Sequence, residues 1–223
     1  MALTQLEARV RGELTKSIAE LEHAPSIAEL ASRSGCSIGE CEAALTALGR
    51  ANALLLHPGT TRPWVVHPFA LSPGSCWVEI GEKGWWANCL YCALGVASAV
   101  GGDADIFTRI GGERESIEVQ IRDGELIADH LLFHLSTPPR LWWDNVIHAC
   151  ASFQPFRAED DVDKWCRRHD LPKGAIVPLE RMWLFAQDWY GDYIRKPWRK
   201  RSAAEVAEVF ERHDFTSTFW SLE

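Results

Sequence analysis

The segment WWANCLYCALGVASAVGG, Trp85 to Gly102, decides how the chain is read. It sets two cysteines, Cys89 and Cys92, three positions apart at the mouth of an uncharged run of small apolar residues. From Asn88 onward the run reads as a buried helix, and a spacing of three puts both thiols one turn apart on the same face. Just before it, CWVEI (Cys76–Ile80) reads as a strand, entered from LSPGS (Leu71–Ser75), a plausible linker. After it, strand-like runs recur at DIFTRI, SIEVQI and HLLFHLS, with Gly111-Gly112 and Asp123-Gly124 as hairpin turns. WWDNVIHACASF fits either a strand or a helix. AEDDVDKWCRRH is helical, with acids early and bases late as the helix dipole prefers. GAIVPL reads as a strand, ERMWLFAQDWYGDYI as a helix, and SAAEVAEVFERH as a last helix opened by a capping box.

The part before the linker has a different pattern. Leu3, Leu6, Val10, Leu14, Ile18 and Leu21 recur at helical spacing, and the helix ends before Pro25. SIAE (Ser26–Glu29) and SIGE (Ser37–Glu40) are two capping boxes around an SGCS turn, the outline of a helix-turn-helix. ALLLH and PWVVHPFA, separated by PGTTR, read as one hairpin. The expected class is therefore α+β, with a winged-helix-like unit at 1–70 followed at 76–223 by a mainly antiparallel sheet flanked by helices.

The second of the two short helices would be the recognition element of such a unit. It offers Glu40 and Glu42 near its start and only Arg50 at its end. Residues 1–70 carry six Lys plus Arg against seven Asp plus Glu, and the whole chain has a net charge of -8. Phosphate binding needs the opposite balance, which argues for a packing module and against nucleic-acid or anionic-membrane partners. No stretch of about eighteen apolar residues is present, and the charged start lacks the apolar run of a signal peptide. A cytoplasmic location is expected, and there seven cysteines do not read as a disulfide framework.

Spacing sorts the thiols. Cys36, Cys41, Cys76 and Cys166 read as packing residues, which leaves Cys89, Cys92 and Cys150. A Cys-x-x-Cys pair could be a redox couple, but the sheet reads as antiparallel and the insert is Leu-Tyr. It could be half of a zinc site, but no second half follows at finger spacing. His130 and His134, in a strand-like run, would share one face with no carboxylate between them and read as ordinary histidines. Of the eleven Trp, only Trp64 precedes residue 77. Most are expected in the core, with Trp85, Trp86 or Tyr91 available to line a small apolar pocket. The basic run Arg195–Arg201 reads as solvated surface.

YCALG (Tyr91–Gly95), IGGERESIEVQIRDGEL, HACASFQPFRAEDDVDKWCRRH and GAIVPLERMW together resemble the core of the organomercurial (alkylmercury) lyases. That family has a Cys-Ala-Leu-Asp motif, a second cysteine fifteen residues before a Trp, and an N-terminal unit of winged-helix type. Cys92-Ala93-Leu94 match the motif, and Cys150 stands fifteen before Trp165. The resemblance implies an enzyme that protonolyses a carbon–mercury bond, with Cys92 and Cys150 as catalytic ligands of the metal. Mercury is substrate and product, the partner is a small organometallic, and no organic cofactor is involved. Soft thiolates suit such an ion. The motif aspartate is replaced by Gly95, which can give no proton. Cys89 then becomes a third ligand or a substitute acid, with Asp103, Asp105 and Asp144 as other acids in the region. The alternative is a non-catalytic or divergent homologue whose pocket holds a soft metal or another small ligand; in the plainest reading all seven cysteines only pack. Oligomeric state is not legible.

Overall fold

The computed structural model describes residues 3–128 and 130–223. Helix α1 (Gln5–Leu21) starts at a Thr4/Glu7 capping box, and α2 (Ile27–Ser34) and α3 (Ile38–Arg50) start at the Ser26/Glu29 and Ser37/Glu40 boxes. In each box the serine or threonine oxygen and the glutamate satisfy backbone N–H groups that a helix start otherwise leaves open. Gly35 closes α2 in the left-handed region, at φ 63°, where a glycine carries no Cβ penalty. The apolar stripe of α1, Val10, Leu14 and Ile18, is buried with Leu30, Leu45 and Leu48 of the other two helices. Each such side chain contributes about 1.5–3 kcal/mol by leaving water.

The run PWVVHPFA is not one strand. It breaks at His67-Pro68 into β2 (Pro63–Val66) and β3 (Phe69–Ala70), so with β1 (Leu55–Leu56) the segment makes three short antiparallel strands. Proline has no N–H for a ladder, and the chain reverses there. These strands join β4 (Cys76–Ile80), β5 (Lys83–Ala87), β6 (Ala104–Arg109), β7 (Ser116–Arg122) and β8 (Glu125–Ile127). The resulting sheet has the order β1-β2-β3-β5-β4-β6-β7-β8, every pair antiparallel. It runs across residues 71–75 without interruption, and one apolar core extends from α1 into the later elements. Asp123 (φ 52°) and Gly124 (φ 79°) form the expected tight turn between β7 and β8.

A second sheet, β10-β9-β11, comprises β9 (Leu132–Leu135), β10 (Gln154–Phe156) and β11 (Ala175–Pro178). His130 lies ahead of β9 in a left-handed turn at φ 42°, so it does not share a strand face with His134. The ambiguous segment resolves into α5 (Val146–Ala151), capped by Asn145 and followed by β10. Between the eight-stranded sheet and α7 (Leu179–Tyr190) lies α4 (Leu90–Val100), whose residues from Leu90 to Ala99 are all buried. It packs along α7; α6 (Glu159–His169) and α8 (Ala203–Arg212) complete the outer layer.

Candidate active site: a thiol cluster under an aromatic cavity

Strand β5 delivers the chain to Cys89, the N-cap of α4, and Cys92 follows one turn in. Their sulfurs are 3.5 Å apart. The third sulfur comes from the last turn of α5, where Cys150 is 5% exposed and its sulfur lies within 4.8 Å of that of Cys92. Two thiols facing a third cannot all ionise together. Burial, with S–H donation to Cys150, pushes the Cys89 thiol well up; donation to Cys150 is the first cause of the same rise at Cys92. The thiol of Cys150 moves the other way, well below its ordinary value, because Cys89 and then Cys92 hydrogen-bond to its sulfur. Of the three thiols, Cys150 is therefore the one the cluster favours as thiolate.

His67, at the β2–β3 turn, was not singled out by the sequence. One of its ring nitrogens and the sulfurs of Cys92 and Cys150 lie within 4.8 Å of one another. Its Nδ1 is buried without a hydrogen-bond partner, and burial lowers the imidazole to about 4, so it is neutral near pH 7. The carbonyl of His67 accepts a 2.7 Å hydrogen bond from Nη2 of Arg11. Arg11 is itself 1% exposed; it also donates to the Ala53 carbonyl and to Thr15, and lies over the Trp198 ring at 5.1 Å. Helix α1 therefore anchors the turn that carries His67. The available signal was a histidine before a proline inside an apolar run, and an arginine on the buried stripe of an amphipathic helix.

A cavity of about 250 Å³ opens onto the cluster. Tyr91, Trp142, Trp143, Phe153, Trp189, Tyr190 and Trp198 form much of its wall. Of the aromatic residues expected there, only Tyr91 takes part, stacked on Phe185 at 5.2 Å with its hydroxyl buried and unpartnered. Trp85 instead binds the Ile18 carbonyl in the core, and Trp86 packs on Trp77. The basic run is not simply solvated. Arg199, Lys200 and Arg201 reach the cavity rim; Lys200 donates to the Ala51 carbonyl, and Arg201 donates to that of Trp189 while lying 4.5 Å over its ring.

Gly95 is on the buried face of α4, and the space a side chain would need there is taken. A Cβ would sit 2.5 Å from Cδ2 of Tyr190 and 2.9 Å from Cβ of Pro68. The aspartate of the related motif is thus replaced by the ring of Tyr190. None of Asp103, Asp105 and Asp144 reaches the site. Asp105 pairs with Arg122, Asp103 accepts from the Asp123 backbone, and Asp144 is turned to a different surface groove. Among the described residues, no aspartate or glutamate lines the cavity. Of the remaining thiols, burial pushes Cys41 up to about 11 and Cys76 up to about 12. Cys166 lies 3.7 Å from His134 in a separate small cluster with Phe156, Val162 and Trp165.

Among solved structures, the crystal structure of the mercury-bound form of MerB2 superposes with a TM-score of 0.69 at 18% sequence identity. The match covers 86% of this chain and 93% of that one, and at such identity it establishes a shared fold. No curated protein matches the chain. The alkylmercury lyase family pattern matches residues 69–191, a span that holds all three clustered cysteines, Gly95 and Tyr190 but neither His67 nor Arg11. With more than half of its length inside that match, the chain belongs to the alkylmercury lyase family.

Proposed function

We propose that the chain cleaves carbon–mercury bonds by thiolate-assisted protonolysis, and the observation that carries this reading is the convergence of the buried thiols of Cys89, Cys92 and Cys150 beneath an apolar cavity. Cys150 attacks an alkyl- or arylmercury carried on a small thiol, displaces that thiol as its thiolate and forms R–Hg–S. Soft sulfur outcompetes water and carboxylates for this ion. Cys92 then binds the same mercury, and coordination removes its proton, as it does for any ligating thiol. That proton ends on carbon: R–Hg–S plus H–S gives R–H and S–Hg–S, balanced with no other acid. Cys89, at 3.5 Å from Cys92, holds a second thiol proton and is the substitute donor or third ligand. The aromatic wall accommodates the organic group and keeps water from the reacting atoms. No organic cofactor takes part.

Among the described residues the cavity wall carries no carboxylate, which supports a second reading, a soft-metal or small-ligand binding protein that turns over slowly or not at all. General acid catalysis typically contributes about 10²–10⁴ in rate. The deciding experiment gives the purified protein phenylmercury with excess small thiol and measures benzene release in single and multiple turnovers. Stoichiometric Hg(II) binding without benzene release would select the binding protein. For residues 1–70 we propose a winged-helix-like packing module, set against the later 76–223 unit, that does not bind nucleic acid. An electrophoretic shift of duplex DNA at moderate salt would overturn that.

A further inference from the structure

The sulfurs of Cys92 and Cys150 suffice for the mercury chemistry, which leaves His67 unexplained. One ring nitrogen sits beside them, and the ring makes no hydrogen bond among the described residues, with Nδ1 buried and unpartnered. A buried polar atom left unpaired is destabilising, so its retention calls for a use. The backbone of the residue is fixed from outside the cluster by Arg11 and its ring packs edge-on to Trp143 at 5.5 Å. These contacts hold the imidazole against the sulfurs.

Two thiol sulfurs and one imidazole nitrogen, mutually within 4.8 Å, form the donor set of a four-coordinate site with three protein ligands and one open position. Around a tetrahedral ion with sulfur at ~2.3 Å and nitrogen at ~2.0 Å, ligand atoms lie about 3.5–3.8 Å apart. Closing the edges by at most about 1.3 Å reaches that geometry, a displacement within the range of side-chain rotation. Thiolate selects soft ions and imidazole borderline ones, and zinc and its heavier congener cadmium accept both together in a tetrahedron. The fourth position faces the cavity, through which an ion can enter.

We propose that His67, Cys92 and Cys150 form a binding site for a divalent d¹⁰ cation of the zinc–cadmium class, a function separate from carbon–mercury cleavage though it uses two of the same sulfurs. It does not require that the lyase reading be right. The test titrates the reduced, metal-free protein with Co(II) and Cd(II). One equivalent of Co(II) is expected to give the intense visible bands of a tetrahedral ion together with sulfur-to-metal charge transfer, and Cd(II) to displace it. His67→Ala should weaken Co(II) binding by about tenfold or more and remove the nitrogen from the coordination shell, while Cys166→Ser changes neither. Should His67→Ala fail to fold, X-ray absorption of the Zn(II)-loaded wild-type chain reads the shell directly. Two sulfurs with one imidazole nitrogen support the site. Binding unaffected by His67→Ala, an all-sulfur shell, or no tetrahedral Co(II) spectrum overturns it. The benzene-release assay is run on the same metal-free protein: cleavage without a Co(II) signal sinks only this inference, and a Co(II) signal without cleavage sinks only the lyase reading.

Discussion

Two cysteine–histidine neighbourhoods in this molecule differ in almost everything that governs reactivity. Cys166 faces His134 across 3.7 Å, but it is a single sulfur. A ring nitrogen of His134 is already taken by the Lys173 carbonyl, and burial pushes the Cys166 thiol up. At the other neighbourhood three sulfurs converge, the charge settles on Cys150, a ring nitrogen of His67 is left free, and a cavity gives access. Proximity of Cys to His is therefore not what makes a site here. Donors to the thiolate and room for a ligand are the difference, as the dependence of thiol chemistry on thiolate fraction and access requires.

The largest effect should come from breaking the reactive side of this comparison. Cys150→Ala removes the attacking thiolate and is expected to lower benzene release by about 10⁴ or more. Cys166→Ser, distant from the cluster, should leave it within about twofold. Equal losses would mean that both act through stability, which thermal melts of the two variants would reveal. Next in size, Cys89→Ala should slow release by about 10² if its proton replaces the missing acid, with Hg(II) still bound by Cys92 and Cys150. A rate unchanged by Cys89→Ala would assign the proton to Cys92 alone.

Gly95→Asp sharpens the comparison by asking whether the family acid still fits beside the cluster. It places a side chain against Tyr190 and Pro68 and should destabilise the protein by about 1–3 kcal/mol, seen as a lowered Tm. In a Tyr190→Ala background the same substitution should cost less, since residues in contact are not additive. A Tm unaltered by Gly95→Asp alone would show that the ring can move aside. The smallest effect concerns pH. The Cys150 thiol is shifted down from the ordinary thiol value and that of Cys166 is shifted up, so as pH falls from about 9 alkylation of Cys166 should drop about tenfold per unit from the outset while that of Cys150 declines later. Peptide mapping after iodoacetamide at each pH reads both sites, and parallel profiles would contradict the assigned thiolate.

Local signals were legible and long-range ones were not. The capping boxes at Ser26, Ser37 and Ser202, the Asp123-Gly124 turn and the helix beginning at Leu90 can be read from a few adjacent residues, because each is satisfied by hydrogen bonds or backbone angles within one turn. Cys89 and Cys92 share a helix face for the same reason. The pairing with Cys150, 58 positions beyond Cys92, came from resemblance to a family and from no local pattern. His67 was hidden in a run that read as a plain strand, and Arg11 in an ordinary amphipathic helix.

What the sequence by itself determined is the set of elements and the supply of thiols: short-range geometry dictates both, and a net charge of -8 argues against polyanionic partners whatever the fold. Only the tertiary structure decided which thiol carries the charge, because that depends on two S–H donors meeting a sulfur from another helix at low dielectric. It also decided why the motif position is glycine. The ring of Tyr190, from the far end of α7, fills the space beside Cys92 that a carboxylate would need, and such close packing follows from how α4 and α7 are brought together rather than from anything written next to Gly95.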